Sequence, residues 1–186
     1  MENEEPLIDS AMDRDEALAG IEIPADIEKH LMLVPLLHYG FDNKLHQGQV
    51  VIHENLAEDI VAIFSELRAM RYQIEKLIPI VVYGWDDEAS MQDNNSSAFN
   101  YRPIYGTATL SNHSLGRAID INTFINPYYM RDGTIIPVGA TYNPKDPHAI
   151  TASSPIVTFF KSRGWHWGGD EWDDRTDWQH FAKTDM

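Results

Sequence analysis

Residues 111–120 read SNHSLGRAID, and residues 177–181 read DWQHF. Arg117 to Asn122 alternates between polar and apolar residues, as a half-buried strand does. In a strand, Asp120 shares a face with Ala118 and Asn122. His113 stands just before that strand, in a turn that Gly116 permits. His180 comes from the far end of the chain and joins the other two if its own segment pairs with the first. The two stretches therefore predict an antiparallel strand pair that gathers two imidazoles and two carboxylates.

A catalytic zinc takes three protein ligands from His, Asp or Glu and keeps a fourth position open. His113, Asp120 and His180 are such a set, so one Zn2+ per chain is expected. Asp177, three residues before His180, is close enough to reach a water at the site. A carboxylate there takes the water's proton and passes it to the leaving amine. Arg102 lies upstream in SAFNYRPI, residues 97–104. A guanidinium near the metal stabilises a tetrahedral oxyanion or holds a substrate carboxylate. Taken singly, each of these residues has a plainer role, because a His or Asp near a turn usually just hydrogen-bonds or meets solvent. The combination of Ser, His, Gly, Ala and Asp in one ten-residue frame, followed by D-x-x-H-F, weakens that plainer reading.

Outward from these motifs the chain reads as one α+β domain with an antiparallel sheet. Residues 1–24 are acidic with little periodicity and are expected to form a mobile or loosely docked arm. Residues 25–186 are expected to be the catalytic domain. Asp26 to Leu37 suggests a short helix, Gly40 and Gly48 suggest turns, and Gln49 to His53 a short strand. Leu56, Ile60, Phe64 and Leu67 predict a helix from Leu56 to about Tyr72, with Asn55 as its cap. Ile78 to Tyr83 reads as an edge or early strand containing Pro79, and Asp86 to Ser97 as a loop. Ser154-Pro155 opens a second helix that Gly164 ends.

Composition narrows the function classes. The chain has 186 residues, 43% hydrophobic, which suits a globular domain with a sizeable core. It has no cysteine, which excludes disulfides, thiol catalysis and cysteine-rich zinc sites. Its net charge of −15 argues against nucleic acid as a partner, because phosphate backbones would be repelled. No apolar run approaches the roughly 20 residues of a membrane span. The acidic N-terminus lacks the basic and apolar regions of a secretory signal. The compartment is left open: the cell envelope if a signal has been trimmed, the cytoplasm with phage-type release if not.

SNHSLGRAID resembles the S-x-H-x-x-G-x-A-x-D motif of the D-alanyl-D-alanine carboxypeptidases and their relatives. These include the VanX and VanY peptidases and phage L-alanyl-D-glutamate endolysins, within a wider hedgehog-like zinc fold. GWHWGGDEW, residues 164–172, and DWQHF are similar to the family's closing motif. The resemblance extends over HQGQVVIHENLAEDIVAIF, SMQDNNSSAFNYRPI and DINTFINPYY, and so from about Leu36 to Phe181. It implies zinc on His113, Asp120 and His180, a general base at Asp177, and substrate contacts at Arg102 and Ser111. It also implies helices packed on a small antiparallel sheet, and peptidoglycan stem peptides as substrates. A stem peptide ends in a carboxylate, which suits Arg102. Some relatives have Glu where this chain has Asp177, and Trp178 stands where Tyr is expected. A D-alanyl-D-alanine carboxypeptidase is the first expectation. An L-alanyl-D-glutamate endopeptidase or a catalytically silent binding module are the alternatives, and oligomeric state is left open.

Other candidates carry less. His53-Glu54 begins like H-E-x-x-H, but position 57 is Ala, so the second ligand is missing. His30, His38, His46, His148 and His166 are expected to be structural or exposed. Trp165, Trp167 and Trp172 are expected in the core more than in a cleft. Asp86, Asp87 and Glu88 lack a calcium-loop pattern and read as a solvated loop.

Overall fold

The computed structural model describes residues 5–170 and 176–184. Trp172, a lesser cleft candidate, lies outside them, as does Glu171 of the closing motif. Strand β1 (Leu7–Ile8) and helix α1 (Arg14–Ala17) come first, then α2 (Ala25–Glu28), β2 (Leu31–Tyr39) and β3 (Leu45–His53). Helix α3 (Ala57–Ala69) leads to β4 (Lys76–Leu77), α4 (Asp87–Gln92) and β5 (Asn95–Ser96). The second half carries β6 (Ala118–Asp120), β7 (Tyr128–Tyr129), β8 (Ile135–Ile136), α5 (Pro155–Ser162), β9 (His166–Trp167), β10 (Thr176–Asp177) and β11 (His180–Ala182). The architecture is mixed α+β, with several small sheets. Most pairings are antiparallel, but β1–β3 and β4–β5 are parallel.

The β2–β3 hairpin is the longest sheet element. Its register runs from Leu31 opposite His53 to Tyr39 opposite Leu45. Asp26 to Leu37, expected to hold a short helix, does so at its start and is strand from Leu31 onward. Only Ala25–Glu28 is helical there. The unbroken ladder with β3, from Leu31 opposite His53 to Tyr39 opposite Leu45, makes residues 31–39 a strand. Pro35 is tolerated because β2 is an edge strand, in the order β1-β3-β2. Gly48 lies inside β3 and is not a turn. A Cβ there would meet the Leu77 carbonyl oxygen at 2.3 Å, so glycine allows β4 to approach.

Helix α3 buries Ile60, Ile63, Phe64 and Leu67 on one face and packs against β2 and α5. Asn55 does not cap it. Residues 54–56 form a 3-10 turn, and His53 Nδ1 accepts the Asn55 N–H at 3.2 Å. Ile80–Tyr83 is also a 3-10 turn and not a strand. Within the expected loop 86–97, Asp86 caps the short helix α4 by accepting the Ala89 N–H. Helix α5 starts at Pro155 as expected, and Gly164 follows it at φ 77. Ser154 Oγ, however, accepts from Thr151 N and makes no bond to the helix.

The main core joins β2, β3 and α3 to α5 and β11. Phe160 of α5 stacks on Phe181 of β11 at 4.2 Å. Trp165 and Trp167 belong to this core, and their indole N–H groups donate to Asp59 and to the Trp178 carbonyl. Residues 5–24 dock on the body of the protein. Leu7 and Ile8 pair with β3, and Ala17 and Leu18 are buried with Leu31, Val51 and Phe99. Arg14 donates to the carbonyls of Leu31 and Glu28, and the Trp85 indole to that of Ala19. His38 and His46 both bond Asp9, His30 bonds Glu54, and His148 bonds Gln73. No helix among the described residues is long and apolar enough to cross a membrane.

Candidate metal centre

Strands β6 and β11 pair antiparallel with His180 directly opposite Asp120. Directly opposed residues in a sheet bring their side chains together on one face. His113 reaches the same point from the 3-10 turn 112–115 that precedes β6. Ser111 caps that turn, its hydroxyl accepting the His113 N–H at 3.3 Å. Gly116 leaves it at φ 63. A Cβ at Gly116 would lie 2.7 Å from His53 N, so the turn needs glycine for both conformation and space.

The three side chains converge tightly. His180 Nδ1 lies 2.9 Å from Asp120 Oδ1 and 3.2 Å from His113 Nε2. His113 Nε2 lies 3.2 Å from Asp120 Oδ2. One ligand atom from each of the three falls within 4.8 Å of the others, and His113 and Asp120 are buried. His113 Nδ1 bonds the Ala98 carbonyl, which can only accept. That fixes the proton on Nδ1 and leaves a lone pair on Nε2, facing the carboxylate. Such a meeting of lone pairs calls for a shared cation. Two imidazole nitrogens and one carboxylate oxygen are a donor set that suits zinc.

The electrostatics agree. Burial opposes the charge of Asp120, but His113 and His180 outweigh it and hold the carboxyl well below its usual range. Burial likewise disfavours charge on His180, yet the bond to Asp120 and the charges of Asp120 and Asp177 raise it. The carboxylates thus draw positive charge to this point, where a metal can replace the proton.

Asp177 ends β10 beside the cluster. Its Oδ1 is buried and has no hydrogen-bond partner among the described residues. Burial pushes its carboxyl up to about 7, helped by repulsion from Asp120 and opposed by His180. Asp177, Ser111, His113, Asp120 and His180 all line one cleft of about 520 Å³. Arg102 lines it too, with Nη2 2.7 Å from Asp87 Oδ2. All six sequence candidates therefore meet in one cleft.

Other lining residues were not foreseen. Asp87, Glu88 and Met91 come from α4, which composition suggested was a solvated loop. The β7–β8 hairpin adds Tyr128 and Met130, and the loop before Ser111 adds Ile104 and Tyr105. The Asp86 cap three residues before Ala89 was the signal available for α4. His166 is exposed in β9 and is not among the lining residues, and neither are Trp165 and Trp167.

A paired-strand His–Asp–His cluster beside a buried carboxylate defines a centre suited to metal-assisted hydrolysis. Residues 105–183 match the family model described as D-alanyl-D-alanine carboxypeptidase, which supports a peptidase of the family that the motifs resemble. The matched span holds His113, Asp120, Asp177 and His180, while Arg102 and Asp87 precede it. No curated protein and no solved structure matches the chain.

Proposed function

We propose that this protein is a zinc-dependent peptidase that hydrolyses peptidoglycan stem peptides, acting as a D-alanyl-D-alanine carboxypeptidase. The observation that carries the reading is the His113–Asp120–His180 cluster with the buried carboxyl of Asp177 in the same cleft. We read the β6–β11 pair and its packed helices as the hedgehog-like zinc fold. His113 through Nε2, His180 through Nδ1 and Asp120 through its carboxylate would hold the ion. Zinc in such a site polarises a carbonyl and makes hydroxide available near neutral pH.

The chain's own groups do the rest. Asp177 accepts a proton from the attacking water and returns it to the leaving nitrogen as the C–N bond breaks. Burial favours proton uptake by the Asp177 carboxyl, which suits a group that takes a proton and hands it on. Arg102 takes up negative charge on the substrate, at its carboxylate or at the oxygen of the reacting carbonyl. Ser111 accepts from His113 N, and its own O–H can donate to the peptide.

Substituting Asp177 by Ala tests the assignment. The variant should bind zinc as the parent does, measured by native mass spectrometry, and lose at least about 100-fold in kcat. Zinc-loaded Asp177→Ala with full activity contradicts the role.

A further inference from the structure

Arg102 does not stand in the cleft by itself. Asp87, at the start of α4, meets its Nη2 at 2.7 Å, and both side chains are about 30% exposed. The other Asp87 oxygen accepts from Asn100 Nδ2 at 3.0 Å. Asn100 is buried, and its backbone is tied to the His113 turn: Asn100 N donates to the His113 carbonyl, and Ser114 Oγ donates to the Asn100 carbonyl. Ser114 Oγ also accepts the Arg102 N–H at 2.8 Å. A chain of contacts thus runs from the metal-cluster turn through Asn100 and Asp87 to the Arg102 guanidinium.

An arginine side chain has many rotamers, and fixing it costs entropy when substrate binds. Pairing one Nη to a carboxylate that is itself fixed removes that freedom beforehand. The pairing leaves other N–H groups for a substrate, because guanidinium has five in a rigid fork. Arg102 Nε–H is buried and has no partner among the described residues, so the exposed part of the side chain is what a substrate meets. A carboxylate beside Arg102 also opposes the binding of an anionic substrate. The back-bond from Asn100 favours positioning, since it holds Asp87 where it is and spreads its charge.

We propose that Asp87 is a positioning residue, which with Asn100 orients the Arg102 guanidinium toward the substrate's negative charge. The proposal rests on the peptidase reading above for its kinetic consequence, though not for its structural one.

Two measurements test it on the zinc-loaded protein. The first is NMR of the arginine side-chain nitrogens. Arg102 should show a guanidinium with hindered rotation in the parent, free rotation in Asp87→Ala, and hindered rotation again in Asp87→Glu. Unchanged rotation in Asp87→Ala overturns the proposal, whether or not a substrate is turned over. The second is a double-mutant cycle with a stem pentapeptide. Asp87→Ala should lower kcat/KM about tenfold in the parent and less than about twofold in an Arg102→Ala background, because residues acting through one another are not additive. Equal losses in both backgrounds, or a gain in kcat/KM for Asp87→Ala, overturn it. A parent without turnover counts against the peptidase reading, and the NMR result alone then decides the positioning role.

Discussion

Gly116 links the geometry of the metal centre to the body of the protein. It closes the His113 turn at φ 63 and packs against the end of β3, with its carbonyl accepting the His53 N–H at 2.8 Å. Alanine there meets both a disfavoured conformation and a contact of 2.7 Å to His53 N. Gly116→Ala should therefore lose roughly 1–3 kcal/mol of stability or more, read as a lower denaturation midpoint. Zinc affinity should fall with it, because the same turn aims His113. A stable Gly116→Ala protein with parental zinc affinity would show that the turn has more room than this. The residues of the centre were legible because chemistry restricts them: few residue types bind zinc, and their spacing fell on a strand and a turn. Asp87 was not legible, since only the folded chain brings it to Arg102.

At the level of elements, the N-terminal segment is held by a histidine–carboxylate cluster. Asp9 bonds His46 Nδ1 at 2.7 Å and His38 Nε2 at 3.2 Å, and His46 Nε2 bonds Asp42 at 3.0 Å. Burial works against the Asp9 charge, but the bonds to His38 and His46 outweigh it and lower its carboxyl. Burial also disfavours charge on His46, but Asp9 and Asp42 outweigh it and raise the imidazole. The signs set a window. The Asp9 contribution is complete above its ordinary 3.8 and is lost as pH falls through its lower folded value. The His46 contribution is complete below its ordinary 6.5 and is lost as pH rises through its higher folded value. Hydrogen exchange, corrected for intrinsic rate, should find the Asp9 amide less protected at pH 8.5 than at 5.5, relative to α3. Equal protection at both would mean that the cluster does not hold β1. The sequence suggested a mobile or loosely docked arm here because acidic composition hides pairing with distant histidines. Helix α3 was legible from its four buried positions at helical spacing. The strand over residues 31–37 was not foreseen, because a hydrophobic run without clear alternation suits either element until its partner strand is known.

The whole molecule brings its chemistry together from distant parts of the chain. Residues 31–53 and α3 build a core onto which α5 and β11 pack, and β11 presents His180 to Asp120. Phe181, the neighbour of His180, is fully buried against Phe160, so the metal centre rests on the main core. The second core, around Ala17, Leu18 and Phe99, lies behind the segment that leads to Arg102. Both walls of the cleft thus depend on packing formed by residues far away in sequence. In the proposed reaction this cleft hydrolyses a stem peptide with zinc bound at His113, Asp120 and His180. The direct measurement is mass spectrometry of zinc-loaded protein incubated with a stem pentapeptide ending in D-Ala-D-Ala. The account predicts loss of one terminal alanine, abolished by chelation and restored by zinc. An internal cut after L-Ala would keep the hydrolase and change its bond, whereas no product from protein with zinc confirmed in place would contradict the account.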